Sequence, residues 1–222
     1  MNTQTEENYL KAIYKLSFQG TVVTTNAIAE KVNTAAASVT DMIKKLALKK
    51  LIMYRKYQGV SLSPKGEKVA IEIVRKHRLW EMFLVEKLKF KWDEVHEIAE
   101  ELEHIKSHKL ADHLDEFLGF PKTDPHGDPI PDPSGKIRNI KSKPLSEMKK
   151  RSKSTMTGVI DHSSHFLRFL DSIHLSLGDE IVVDEITGYD SSMRVRINKK
   201  SSSFLSQQVT KNILVTDSND KN

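Results

Sequence analysis

The chain has 222 residues, 38% of them hydrophobic and 29% charged, with a formal net charge of +5 and no cysteine. That composition excludes disulfides, thiolate metal sites and cysteine catalysis, and no apolar run approaches the roughly 20 residues a membrane helix needs. The N-terminus is polar and then amphipathic, without the basic-then-apolar plan of a signal peptide, so a cytoplasmic location is expected; the positive balance permits a polyanionic partner.

In chain order, Thr5 to Phe18 predicts a short amphipathic helix with Tyr9, Ile13 and Leu16 on its apolar face. Glu6 and Glu7 fall in its first turn, where they complement the helix dipole, and Gly20 ends it. Thr24 to Leu48 predicts two helices broken at Asn33-Thr34, the first capped by Thr25 or Asn26. This is the spacing of a helix-turn-helix. The second helix, Ala36 to Leu48, has Val39, Ile43 and Leu46 as its apolar stripe and exposes Ala35, Ala37, Ser38, Thr40, Asp41 and Lys44. Small and polar side chains there let a helix sit deep in a major groove and reach base edges. Leu51 to Leu62 reads as two strands around Tyr57-Gln58-Gly59, a wing whose Arg55 and Lys56 suit phosphate contacts.

A long helix is expected from Ser63-Pro64 to about Lys89, with Trp80, Phe83 and Leu84 as core or dimer contacts. Another is expected across Trp92 to Leu114. On it His96, Glu100, Glu103 and His104 lie at i, i+4, i+7 and i+8, within an arc of roughly 100°. Val95, Ile98, Ala99, Leu102 and Ile105 occupy a roughly opposite arc. Crowded carboxylates repel one another unless something positive sits among them, and a divalent cation is one such thing. His77/Glu81 and His96/Glu100 each set an imidazole and a carboxylate one helical turn apart. Imidazole with carboxylate and no sulfur suits Mn²⁺, Fe²⁺, Co²⁺ or Zn²⁺. A solvated charged face would explain either pair alone; two pairs on consecutive helices favour a metal. His108 and His113 are expected to be satisfied or solvent-facing, and His126 structural.

Pro121 to Pro133 holds five of the seven prolines, a density no regular element tolerates. Ser134 to Ser154 is basic and polar and reads as a mobile linker. Strands follow at 156–160, 179–186, 194–197 and 213–215, interrupted by a helix over Ser164 to Ile173, which suggests a small barrel of the SH3 type. The expected fold is therefore mainly α with a small β part. A winged helix-turn-helix spans 1–73, a helical domain 74–133, a linker 134–154 and an SH3-like barrel 155–217.

This order, together with KHRLWE on the long helix, VHEIAEELEH on the next and the PHGDPIP loop, resembles the diphtheria-toxin-repressor family of metal-dependent transcriptional regulators, including its manganese-transport-regulator branch. The resemblance implies an ancillary metal site at His77, Glu81 and His96. It implies a primary site at Glu100, Glu103 and His104, completed by Asn8 from the N-terminal helix. Glu100 stands where the iron-type branch has a cysteine. His162 and His165 stand near where longer members draw ancillary ligands from the barrel. The shorter manganese-type members carry an Asp where Asn8 stands and a Glu where Lys11 stands, and Lys11 cannot ligate a metal while protonated. The function implied is a metal-activated repressor of metal-uptake genes, not an enzyme. It would dimerise through the helices around Trp80 to Leu118 and bind palindromic operator DNA. Mn²⁺ is the first effector expected and Fe²⁺ the second, with Zn²⁺ or Co²⁺ able to substitute in vitro. Two other classes stay open. One is a metal-independent winged-helix regulator whose barrel binds a protein. The other is a mononuclear metallohydrolase, which would need an open coordination position and a placed general base.

Overall fold

The computed structural model of the protein describes residues 2–18, 22–55 and 59–217. The chain divides into two compact units. The first takes the segment through Trp80, Ala99–Phe117 and Pro131–Ile137; the second takes Glu81–Ile98, Leu118–Ile130 and everything from Arg138. Gly20, Lys56, Tyr57, Gln58 and the side chain of His108 lie outside the described residues.

In the first unit, α1 (Gln4–Ser17) begins with a capping box. The Thr3 hydroxyl accepts from the Glu6 N–H, and the Glu6 carboxylate accepts from the Thr3 N–H. That carboxylate is fully buried and also takes Lys49 Nζ at 2.8 Å and Lys45 Nζ at 3.1 Å. Burial pushes the Glu6 carboxyl up, but Lys49, the Thr3 N–H and Lys45 outweigh it and bring its pKa down to about 2. The pairing fixes α1 against α3 (Ala36–Leu48). Between them, α2 (Thr25–Lys31) is capped by Thr24, one residue ahead of the expected caps, because the Thr24 hydroxyl is the one that reaches the Ala27 N–H. β1 (Ile52–Arg55) and β2 (Gly59–Leu62) pair antiparallel, from Ile52 opposite Leu62 to Arg55 opposite Gly59. α4 (Pro64–Glu86) closes the winged helix by placing Ala70 and Val74 in one core with Leu10, Ile13, Ile28 and Leu46. Gly66 lets α4 start against β1: a Cβ there would lie 1.9 Å from the Leu51 carbonyl oxygen.

The single helix expected over Trp92 to Leu114 is two. α5 (Val95–Leu102) stops before Glu103, and α6 (His108–Phe117) restarts after Ser107, whose hydroxyl accepts from the Leu110 N–H. In the gap the Ile105 carbonyl accepts from Lys76 Nζ at 3.0 Å instead of from a helical N–H. Arg75, buried on α4, holds α6 through Asp115 at 2.8 Å and Asp112 at 3.0 Å.

The second unit is built on a six-stranded sheet in the order β3-β8-β4-β5-β6-β7, every neighbouring pair antiparallel. The strands are β3 (Lys143–Pro144), β4 (Lys153–Val159), β5 (Glu180–Ile186), β6 (Met193–Ile197), β7 (Ser201–Leu205) and β8 (Ile213–Asp217). α7 (Ser164–Ser172) and α8 (Gln207–Asn212) join them. Alternation sets the faces: Met193, Val195 and Ile197 of β6 are buried while Arg194 and Arg196 are exposed. The segment expected to be a mobile linker is partly a wall of this unit. It carries β3 and a 3-10 turn (Leu145–Glu147), and Leu145 and Met148 lie in the core with Met156, Leu167 and Ile181. Two apolar side chains in a polar stretch were enough to anchor it.

Leu145→Ala should therefore lower stability by about 2–5 kcal/mol, the usual cost of truncating a fully buried leucine. The midpoint of a denaturant titration measures it; a free linker would leave that midpoint where it is.

Candidate functional site

Two clusters of histidine and carboxylate emerge, one in each unit, and they solve the same electrostatic problem differently. In the second unit, Glu81 on α4 meets Asp124 and His126 from the proline-rich loop. Their ligand atoms lie within 4.8 Å of one another, and the three residues are 1%, 3% and 0% exposed. The loop is held by its own side chains. Asp124 Oδ1 accepts from the N–H groups of His126 at 2.8 Å and Asp128 at 3.0 Å, and Thr123 and Pro129 form a bridge. Gly127 has φ +92°, and a Cβ there would meet the Thr157 carbonyl oxygen at 2.1 Å, so only glycine allows this approach to β4.

His126 is oriented by its backbone neighbour. Nε2–H donates to the Trp92 carbonyl at 2.8 Å, which leaves the lone pair of the neutral ring on Nδ1. That atom is buried without a hydrogen-bond partner and lies 3.6 Å from Glu81 Oε2. A carbonyl on one ring nitrogen and a bare second nitrogen is how metal-binding imidazoles are set. Burial disfavours the charged ring, but Glu81, Asp124 and the Trp92 carbonyl outweigh it and raise its pKa to about 9. His162 stacks on the same ring, centroids 4.8 Å apart and planes 19° apart. His96 Nδ1 lies 3.2 Å from Glu81 Oε1. His165 is exposed on α7 and joins no group of close ligand atoms among the described residues, against expectation. His126, expected to be purely structural, is brought to Glu81 together with Asp124, which was not singled out at all. Two donors two residues apart in a loop carry no periodic signal that sequence reading could use.

In the first unit two of the residues expected to form the primary metal site, Glu100 and Glu103, meet on a lysine. Lys11 Nζ lies 3.1 Å from Glu100 Oε1 and 2.6 Å from Glu103 Oε1. Glu103 is fully buried, and its Oε2 hydrogen-bonds His77 Nδ1 at 2.7 Å. Burial pushes the Glu103 carboxyl up, yet His77 and Lys11 overcome it and hold it below the ordinary carboxylate range. His104 Nδ1 pairs with Glu7 Oε2 at 2.7 Å. Asn8, expected to complete the site, is exposed. The reason is helical phase: Glu7 and Lys11 are one turn apart and share the stripe of α1 that faces this cluster, and Asn8 is about 100° round from Glu7. His113 is exposed, 3.8 Å from Glu116.

On the winged helix, Ala35, Ala37, Ser38, Thr40, Asp41 and Lys44 are all exposed, as is Arg55 at the end of β1. Lys44 pairs with Asp41 at 3.1 Å. Ala35 supplies no side-chain cap, so the first-turn N–H groups of α3 are left for solvent or an anion.

Known proteins share this organisation. Residues 1–60 match the N-terminal DNA binding domain of the iron dependent repressor and residues 63–132 its metal binding and dimerisation domain. Residues 143–217 match the FeoA domain. A solved manganese-dependent transcriptional repressor, in complex with manganese, is 32% identical with a TM-score of 0.86, over 96% of this chain and 99% of that one. The chain belongs to the iron-dependent, or diphtheria-toxin, repressor family. The solved manganese regulator SloR is 32% identical, with a TM-score of 0.76 over 96% of this chain and 98% of its own. The iron-dependent repressor IdeR of Mycobacterium tuberculosis is 34% identical over 127 residues, and that match spans 57% of this chain and 55% of IdeR. The chain thus spans about half the length of the curated relatives it matches. These homologues are metal-dependent transcriptional repressors, a family of regulators and not of enzymes, and this chain carries the family's DNA-binding domain.

The raised pKa of His126 has a thermodynamic sign. The charged ring contributes its full stability below about pH 6.5, and that contribution is lost as pH rises through about 9. The melting temperature of the metal-free chain should fall over that range, and His126→Gln should flatten the dependence in a pH series of thermal melts.

Proposed function

We propose that this chain is a metal-activated repressor of metal-uptake genes that acts in the cytoplasm as a homodimer on palindromic operator DNA. The observation that carries the reading is the buried Glu81–Asp124–His126 set, in which the Trp92 carbonyl holds Nε2 and Nδ1 is turned toward Glu81 at 3.6 Å. These three residues would hold the cation. His96 stands beside them on Glu81, and His77 precedes Glu81 by one turn of α4. His162 steadies the His126 ring by stacking; His165 is left out. A bound cation would supply positive charge to two buried carboxylates, Glu81 and Asp124, that lie together at His126.

The donors are oxygen and nitrogen without sulfur, which suits Mn²⁺ or Fe²⁺; Zn²⁺ and Co²⁺ would also bind. Manganese lies at the bottom of the affinity order, so an effector role for Mn²⁺ rests on its availability and not on strength. The relatives named for manganese, the match in whole-chain fold and the absence of cysteine support Mn²⁺ first and Fe²⁺ second. On the DNA, α3 enters the major groove with Ala35, Ala37, Ser38, Thr40, Asp41 and Lys44 toward the bases. Arg55 and Lys56 of the wing meet phosphates. Residues 1–73 then act as the DNA-binding domain, 74–133 as the metal-binding and dimerisation domain, and 155–217 as the barrel. Linkage requires DNA to tighten metal binding by the factor with which metal tightens DNA binding, commonly about 5- to 150-fold.

The test is selection of bound sequences from a random DNA pool with Mn²⁺ at fixed salt, followed by titration of the selected site. Asp124→Asn and His126→Gln should each weaken Mn²⁺-dependent binding by at least about 10-fold, and Lys44→Ala should weaken it at every Mn²⁺ concentration. DNA binding that survives EDTA unchanged would sink the metal switch and favour a metal-independent regulator.

A further inference from the structure

Four residues were expected to hold a metal between α1 and the α5–α6 turn, and two of them, Glu100 and Glu103, meet a lysine in this structure. Asn8 is exposed. His104 turns Nδ1 to Glu7 at 2.7 Å, and its Nε2 lies 3.7 Å from Glu103 Oε1, the oxygen that Lys11 already occupies. Glu100 and Glu103 each direct Oε1 at Lys11 Nζ. Glu100, Glu103 and His104 are not among the close groups of ligand atoms in the described residues.

Lys11 instead does what a cation would do there. Its side chain is 8% exposed and its ammonium donates to two carboxylates from different positions of one turn. An ammonium has donors and no acceptor, so it neutralises oxygen ligands without ligating, and a second cation on the same oxygens would meet its repulsion. A metal ion bound to those same oxygens would have to expel the ammonium from a buried position. Glu103 also has its other oxygen committed, to His77 at 2.7 Å. Glu7 and Lys11, one turn apart, therefore tie α1 to the turn at two points, through His104 and through the glutamates. α1 carries Leu10 and Ile13 in the winged-helix core, both fully buried.

We propose that Lys11 is a built-in cation that takes the place of the metal ion at Glu100 and Glu103, so that α1 is latched without metal. On the reading of Glu81, Asp124 and His126 given above, the metal response of this chain runs through that second cluster alone.

The experiment is equilibrium dialysis of the full chain against Mn²⁺, with thermal melts in EDTA. Glu103→Gln should keep the native Mn²⁺ stoichiometry; Glu100→Gln, at a half-exposed position, gives the same answer if Glu103→Gln does not fold. Lys11→Gln should melt about 10 °C lower in EDTA, as expected for a buried ion pair deprived of one partner. It should gain one Mn²⁺ that restores the loss, and Lys11→Gln with Glu103→Gln should not gain it. Lys11→Arg, which keeps the charge, should retain native stoichiometry. Loss of one Mn²⁺ equivalent in folded Glu103→Gln or Glu100→Gln overturns the proposal, as does a native melting temperature in Lys11→Gln. Undiminished Mn²⁺ binding by Asp124→Asn instead defeats the assignment of the second cluster and leaves the Lys11 latch standing.

Discussion

A carboxylate with none of its surface in water stays charged only if donors reach both of its oxygens. Glu103 is such a group, and much of the first unit follows from satisfying it. α4 supplies His77 to one oxygen and α1 supplies Lys11 to the other. α5 ends just before Glu103, so the carboxylate lies in a turn where partners from two helices can converge on it. Lys76, one residue before His77, secures the same turn through the Ile105 carbonyl. The break between α5 and α6 is thus the place where three segments are pinned together, not a defect in one helix.

The cluster in the second unit is balanced differently. Glu103 has a lysine on one oxygen and an imidazole on the other, whereas Glu81 has imidazoles at both oxygens, His96 and His126, and shares the His126 ring with Asp124. A proton on the His126 ring is a positive charge held between the two carboxylates, and a divalent ion taking that position would release it. Histidines fit this duty because they are cationic or ligating but never both at the same nitrogen. The neighbouring carbonyl of Trp92 decides which nitrogen is at stake.

Much of this was legible beforehand, and the limits have physical causes. The helix-turn-helix, the wing and α4 follow from apolar periodicity and turn residues, because each buries one stripe or one face in a local core. His77 with Glu81, and His96 with Glu100, stood out because helical spacing aligns each pair. The end of α5 was hidden because the polar stripe continues in sequence past the point where the helix stops; a tertiary demand, the burial of Glu103, ends it. Lys11 was read only as a group unable to ligate, although a lysine among carboxylates is itself the positive group their crowding requires. Asp124 and His126 sit on a loop whose proline content suggested irregularity, while its Asx turn and Gly127 fix it. β7 escaped notice because Ser201 to Ser203 lack the alternation that marks a strand, and the edge position tolerates that.

The latch at position 11 has a consequence for how such regulators diverge. Lysine and glutamate codons differ by one first-position base, an A-to-G transition. At a site already walled by Glu100, Glu103 and His104, that change replaces a tethered cation with a third carboxylate. A helix held by its own chain and a helix held only when an ion is present are therefore neighbouring genotypes, and a lineage can pass between constitutive and metal-demanding attachment of its DNA-reading domain without rebuilding the fold.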